Sequence, residues 1–418
     1  MSKEIEILKS KFEEYKKLNL SLNMKRGVPC KEQLDLSMDS FEVLTKKSNF
    51  LSASGIDCRS YGELTGIPEC KKLLSDTIEV PDDQIIIFGN SSLNVMFDVI
   101  SHAYIHGIFG NKPWSKYHKI KWLCPVPGYD RHFAICEYFN MEMINIPMNE
   151  NGPDMDLIEK LVQKDKNIKG IWCVPKYSNP NGITYSDDVV KRFANLKPKA
   201  KDFRIFWDNA YSVHHLYDDN QDFLLEILAE CEKANNPDIV YKFTSTSKIS
   251  FPGSGIAALA SSKANLKDIE KALSIQTIGH DKLNQLRHVL FFKDINGIKK
   301  HMKKHADIIR PKFELVESIL SNNISDFASW NNPKGGYFIS LDTKFPIAKE
   351  VIKRCEDVGV YFTPAGSSFP YHKDPNNTNI RLAPTYPSIK DLEIAINVLC
   401  DAIKLESLIY KQKLLQSK

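Results

Sequence analysis

Ile239-Val240-Tyr241-Lys242-Phe243-Thr244-Ser245-Thr246-Ser247-Lys248 decides the fold class of this chain. Its first half is a short, mostly apolar run of strand-forming residues. Its second half is a hydroxyl-rich turn ending on a lysine, and Phe251-Pro252-Gly253-Ser254-Gly255 follows shortly after. A buried strand that stops at such a turn fits a parallel sheet covered on both faces, in which ligands bind beyond the carboxyl ends of the strands. A Ser/Thr-rich turn containing lysine is also an ordinary surface loop, so its surroundings have to decide.

Working outward, further strand candidates alternate with helical patterns. They are Ile85-Ile86-Ile87-Phe88, Ile120 to Cys124, Gly170 to Val174, Phe203 to Trp207 and Ile256 to Ala260. Helices separating short buried strands predict an α/β fold with a mostly parallel central sheet sandwiched by helices. The segments that follow these strands are polar or aromatic: Gly89-Asn90-Ser91-Ser92, Pro125-Val126-Pro127-Gly128-Tyr129, Pro175 to Gly182 and Asp208-Asn209-Ala210-Tyr211. The first of them enters a helical pattern from Leu93 to Tyr104, where free N–H groups and the helix dipole suit an anion. Ser or Asn there is equally an ordinary N-cap.

Toward the N-terminus, Ile5, Leu8, Phe12, Tyr15, Leu18 and Leu22 predict an amphipathic helix over residues 1–22. Lys25-Arg26-Gly27-Val28-Pro29 is a turn whose cations face an anionic substrate or simply solvent. Arg59 to Pro68 is a glycine-punctuated loop in which Tyr61 is either a packed anchor or a phenol presented to a site, and a helix follows from Cys70 to Ile78. Beyond residue 265 a charged helical stretch runs to about Ile319. His301 and His305 lie four apart on it, which reads as a solvated helix face rather than a metal pair, so no metal is expected. From Pro333 the pattern suggests a smaller α+β domain, closed by an amphipathic helix carrying Leu392, Ile396, Leu399 and Ile403. The division expected is an N-terminal helix and arm over 1–50, a large domain over 51–295 and a small domain over 296–418.

Composition narrows the function class. The 418 residues hold 56 Lys+Arg against 52 Asp+Glu, a net +4 without long charged blocks, so neither nucleic acid nor an anionic membrane is the expected partner. Nine cysteines without a CxxC pair indicate neither a disulfide framework nor a thiolate zinc site. No signal core and no apolar run of roughly 18 residues is present, which makes a soluble cytoplasmic protein the expectation.

The strand-end residues share one chemistry. Lys248 can hold an aldehyde cofactor such as pyridoxal phosphate, and the nearby hydroxyls can bind its phosphate. Asp208 ends an apolar strand, where a carboxylate is costly unless paired, and a protonated pyridine nitrogen is a suitable partner. Asn179 and Tyr211 can donate to the ring oxygen, Tyr129 can stack on the ring, and Arg381 can grip a substrate carboxylate bidentately.

With these clusters in this order, the chain resembles the fold type I pyridoxal phosphate aminotransferases. The pieces that carry the resemblance are Tyr61 with Gly66, Gly89-Asn90-Ser91-Ser92, Pro127-Gly128-Tyr129, Asn179-Pro180-Asn181-Gly182, Asp208-Asn209-Ala210-Tyr211 and Ser245-Thr246-Ser247-Lys248. The resemblance implies Lys248 as the Schiff-base lysine, Asp208 on the pyridine nitrogen, and Asn179 and Tyr211 on the ring oxygen. It also implies Tyr129 as the stacking aromatic, and Asn90, Ser91, Ser92, Ser245 and Ser247 on the phosphate. Tyr61 would reach over from the partner of a homodimer, and Gly27, Asn179 and Arg381 would bind the substrate. More narrowly, Arg26-Gly27-Val28-Pro29, Asp208 to Leu216 and Asp281 to His288 are similar to the type Ic aspartate aminotransferases, a group similar to the aminotransferase-like half of MocR-type regulators.

Many family members carry a phosphate-binding arginine about eight residues after the lysine. This chain has Pro252-Gly253-Ser254-Gly255-Ile256 there, so Lys282 or Arg287 is expected to replace it across the dimer interface. The activity implied is transamination between aspartate and 2-oxoglutarate. Aromatic amino acid or kynurenine transamination is the rival. A non-enzymatic amino-acid-sensing regulator is disfavoured because only about 25 residues precede Arg26, too few for a helix-turn-helix domain of the MocR kind. Lys25, Arg26 and Arg287 are the cations available for a second substrate carboxylate.

Overall fold

The computed structural model describes residues 2–416. Its centre is an eight-stranded sheet in the order Ile85–Ile87, Ala257–Ala260, Val240–Ser245, Arg204–Asp208, Ile168–Cys173, Lys121–Val126, Glu142–Asn149, Gly152–Pro153. The run from Val240–Ser245 to Glu142–Asn149 is parallel throughout, and Ala257–Ala260 pairs antiparallel with both of its neighbours. The strands Ile168–Cys173 and Arg204–Asp208 are buried at every residue, because helices cover both faces of the sheet. One face packs the helices Pro68–Ile78, Met155–Lys164 and Asp187–Ala194 through Leu74, Ile158 and Phe193. The other packs Ser92–His106 and Asp130–Tyr138 around Trp122, Trp172 and Phe206. Helix starts follow local chemistry: Asp154, Ser186, Ser262, Asp281 and Asp294 each accept a backbone N–H at an N-terminus.

The second layer is an antiparallel sheet, Ala328–Trp330, Ile339–Thr343 and Asn379–Leu382, in which Ser340 pairs with Arg381. It shares a core with the long helices Ile295–Ile324 and Ile389–Gln416. Ile5, Leu8 and Phe12 of the N-terminal helix join that core, and Tyr15 donates to Asp401 over 2.6 Å. This helix ends at Lys17, short of the expected residue 22. Leu22–Asn23 instead pairs in parallel with Val360–Tyr361, so a backbone ladder takes the last residues out of the helix and leaves Leu18 exposed.

The expectation for His301 and His305 is corrected. Both are buried, because residues 33–37 fold over this side of the helix. Gln33 Nε2 lies 3.0 Å from His305 Nδ1, and Ser37 Oγ lies 3.2 Å from His301 Nε2. His301 Nε2 also lies 2.9 Å from the carbonyl oxygen of Ile249, next to Lys248. The pair is a polar prop beneath the lysine turn. Among the described residues no cluster of three or more metal-ligating side chains occurs.

Candidate active site

The parallel strands deliver their carboxyl ends to one rim. Asp208 closes Arg204–Asp208 in register with Phe243 of Val240–Ser245, and the Lys248 turn leaves that neighbouring strand two residues later. The Asp208 carboxylate is buried, and its Oδ2 lies 3.1 Å from His132 Nε2. His132 is held by stacking on Trp172, with 4.4 Å between ring centres and 12° between planes, and by an edge contact with Tyr129. Among the described residues Asp208 Oδ1 has no hydrogen-bond partner. A buried carboxylate oxygen left in this way is costly unless a ligand supplies a donor.

Lys248 carries its Nζ 5.0 Å from the centre of the Tyr211 ring. Burial pushes the amine below its ordinary value, and the Asp208 carboxylate opposes part of that shift. The Lys248 carbonyl is held by Tyr337, whose hydroxyl donates over 3.5 Å, and lies 3.3 Å from His214 Nε2. The Tyr211 phenol is fully enclosed, and burial raises it well above the ordinary range. It therefore stays protonated as a donor. Burial likewise raises Tyr129 to about 12, with the Asp130 and Asp208 carboxylates adding to the shift.

The hydroxyl-rich turn meets the start of the helix Ser92–His106. Ser247 Oγ donates to the Asn90 carbonyl over 3.1 Å, and Ser245 Oγ donates to Ser247 Oγ over 3.1 Å. Asn90 Nδ2 donates to the Gly253 carbonyl over 3.2 Å. Ser91 occupies the N-cap, yet its hydroxyl makes no capping bond, so the cap alternative does not consume it. Gly255 permits the turn to close: a Cβ there would lie 3.0 Å from Thr246 Oγ1 and 3.3 Å from Ser247 N. Five of the expected phosphate ligands, Asn90, Ser91, Ser92, Ser245 and Ser247, thus come together at one helix N-terminus.

Arg381 enters from the small sheet. Its Nη1 donates to Asp130 Oδ1 over 2.9 Å and lies 3.5 Å from Asn179 Oδ1, and its Nη2 reaches Thr363 Oγ1 at 3.4 Å. The guanidinium lies over the Phe338 ring at 5.2 Å. Gly27 sits directly against that ring, since a Cβ on Gly27 would come within 2.2 Å of Phe338 Cζ. Lys25 and Arg26 are exposed beside it.

Arg287 Nη2 donates to the Ser254 carbonyl, a few residues after Lys248, over 2.9 Å. Phe41 and Phe251 hold its guanidinium by cation–π contact at 5.2 and 5.8 Å. Lys282 is buried. Tyr61 is 79% exposed. The sequence reading missed His132, Asp130 and Tyr337. His132 was within reach, because a helix starting just after Tyr129 puts it one turn on, beneath the strand ends. Asp130 follows Tyr129 directly, but its partner Arg381 comes from the small sheet, and Tyr337 reaches the site by the packing of that sheet.

A doubly covered sheet with an amine, a carboxylate and an anion cradle along its carboxyl rim defines the fold type I transferase class. A family model described as Aspartate amino-transferase matches residues 2–416, and the chain is an aminotransferase belonging to that family. It is 45% identical over 406 residues to an aspartate aminotransferase of Corynebacterium glutamicum, covering 96% of this chain and 93% of that protein. A crystal structure of an aspartate transaminase from the same organism superposes with a TM-score of 0.93 at 44% identity, covering 96% of this chain and 95% of the other. An aromatic-amino-acid aminotransferase of Thermococcus litoralis is 24% identical over 401 residues, 92% of this chain and 88% of that one.

Proposed function

We propose that this aminotransferase uses pyridoxal 5'-phosphate to move the amino group of aspartate to 2-oxoglutarate, giving oxaloacetate and glutamate. The observation that carries this is the pairing of Lys248, an amine made less basic by burial, with Asp208, a buried carboxylate that keeps one oxygen unpartnered at the same rim. The residues fit the cofactor, since Asp208 Oδ1 has no donor among the described residues and the Ser91 hydroxyl makes no capping bond at a helix N-terminus.

When bound, the cofactor supplies an aldehyde that carries the amino group and a protonated ring that withdraws electrons from the substrate Cα. Asp208 Oδ1 would accept the ring N–H, and His132 holds the carboxylate from its other oxygen. Tyr211, kept protonated by burial, would donate to the ring oxygen together with Asn179. Tyr129 would pack on the ring, and Asn90, Ser91, Ser92, Ser245 and Ser247 would hold the phosphate. Arg381 binds the substrate α-carboxylate, with Gly27 and Asn179 beside it, and so directs the Cα–H bond toward Lys248. The Lys248 amine would take that proton from Cα and return it to the aldehyde carbon of the cofactor, ending in the protonation state in which it began.

Aspartate is preferred to an aromatic donor because the high-identity relative is named an aspartate aminotransferase, whereas the aromatic one is far more distant. A homodimer with shared sites goes with this function. In its support, Tyr61, Phe41, Ile275 and Ile278 are each exposed large apolar side chains, of the kind a second copy would cover. The division into 1–50, 51–295 and 296–418 is proposed on the same footing. Nine buried cysteines, none in a disulfide, suit a reducing compartment such as the cytoplasm. No helix among the described residues is long and apolar enough to cross a membrane.

The test is an absorbance spectrum of the purified protein with the cofactor, followed by addition of aspartate, phenylalanine or kynurenine. A long-wavelength band that bleaches with aspartate is the expected result. A band that bleaches with phenylalanine and ignores aspartate would keep the chemistry and reject the substrate.

A further inference from the structure

Arg381 is already holding a carboxylate. Its Nη1 donates to Asp130 Oδ1 over 2.9 Å, a charge-assisted bond between a buried guanidinium and an acid that keeps 29% of its side-chain surface open. The guanidinium has two edges that could receive a second carboxylate in the bidentate manner. The Nε edge is enclosed by the protein, since Nε is buried, and the Phe338 ring covers a face. The end formed by Nη1 and Nη2 remains. There Nη2 has only the long 3.4 Å contact with Thr363 Oγ1, while Nη1 is occupied by Asp130. An incoming α-carboxylate therefore meets the one edge on which Asp130 already sits.

We propose that Asp130 is a resident competitor for the substrate carboxylate: it holds Arg381 in its binding pose while the site is empty and must give up Nη1 when an amino or oxo acid binds. This rests on the role given to Arg381 above. Asp130 has somewhere to go. It is the first residue of the helix Asp130–Tyr138, where N–H groups lacking an intrahelical partner stabilise a carboxylate, and its open surface admits water during the exchange. The exchange trades one carboxylate for another on the same guanidinium. The site thus avoids a bare buried cation between turnovers, and affinity for the substrate is held down. Asp130 is a positioning residue in this scheme, because it acts through Arg381.

The holoenzyme is titrated calorimetrically with succinate, a dicarboxylate that has no amino or oxo group to react. Asp130→Asn and Asp130→Ser remove the competing charge, and succinate is expected to bind them about 3- to 10-fold more tightly than wild type, the worth of a partly exposed ion pair. Asp130→Glu keeps a carboxylate and is expected to remain near wild type. The KM for aspartate should fall with the succinate dissociation constant in the first two variants. Unchanged or weaker succinate binding in both neutral variants overturns the proposal and makes Asp130 a fixed strut. Arg381→Lys separates the two levels. If it binds succinate as wild type does, the role of Arg381 fails and the competition with it; if it binds poorly while the Asp130 variants do not tighten, only the competition fails.

Discussion

Asp208→Asn tests the chemistry of the rim most sharply, because it opposes stability to cofactor binding. In the protein without cofactor, one carboxylate oxygen is satisfied by His132 and the other has no partner among the described residues. The uncompensated oxygen costs about 1 to 3 kcal/mol. An amide keeps the contact to His132 through its oxygen and removes the charge. The cofactor-free variant is therefore expected to melt no lower than wild type, with a gain of about 1 kcal/mol at most. With the cofactor the sign reverses. Loss of one partner of a buried ion pair costs about 3 to 5 kcal/mol, so cofactor affinity and kcat/KM should each fall by roughly two to three and a half orders of magnitude. Calorimetric melting of the cofactor-free and cofactor-loaded forms, with a spectroscopic cofactor titration, reads both halves. A variant that melts well below wild type without cofactor, yet binds it as tightly, would show Asp208 to be a structural carboxylate and refute the reasoning.

Gly27→Ala should drive a Cβ into the Phe338 ring that backs Arg381, and a misplacement of about 1 Å there lowers kcat/KM by about 10- to 100-fold, carried mainly by KM. Steady-state kinetics in both substrates check it; an unchanged KM would detach Gly27 from the carboxylate site. His288, enclosed between Ser250 and the Asn284 carbonyl, is depressed by burial from 6.5 to about 4. A depressed folded value gives a contribution that is complete above pH 6.5 and lost as pH falls through 4, about 3 kcal/mol in all. His288→Asn should flatten the acid limb of stability in that window, as followed by chemical denaturation at stepped pH. Finally, Tyr61→Ala and Lys248→Ala proteins should each be impaired, and subunits exchanged between the two should regain part of the wild-type activity. No recovery in a verified hybrid would argue against shared sites.

Much of the rim was legible because it is local. Asn90, Asp208, Tyr211 and Lys248 each stand within a few residues of the end of a buried strand, and a parallel sheet necessarily gathers those ends. The helix His301 and His305 ride on was equally legible, but their surroundings were not. Whether a helix face meets water depends on what folds over it, and here Gln33 and Ser37 come from more than 260 residues away. Arg287 shows the same limit: Phe41 and Phe251, from distant segments, bracket its guanidinium in a way no local pattern announces.

By itself, then, the sequence determined the sheet, its order of strand-end clusters and the identity of the lysine, carboxylate and hydroxyls that define the chemistry, because apolar periodicity and turn residues act over short range. Only the tertiary structure decided which partners those groups have. That Asp208 leans on His132 depends on a helix packing against the large sheet across 76 residues of sequence, and that Arg381 meets Asp130 and Asn179 depends on two sheets packing together across 202 to 251 residues. Hydrogen bonds and charge pairs at such separations are chosen by the burial of the whole core, and no local pattern encodes them.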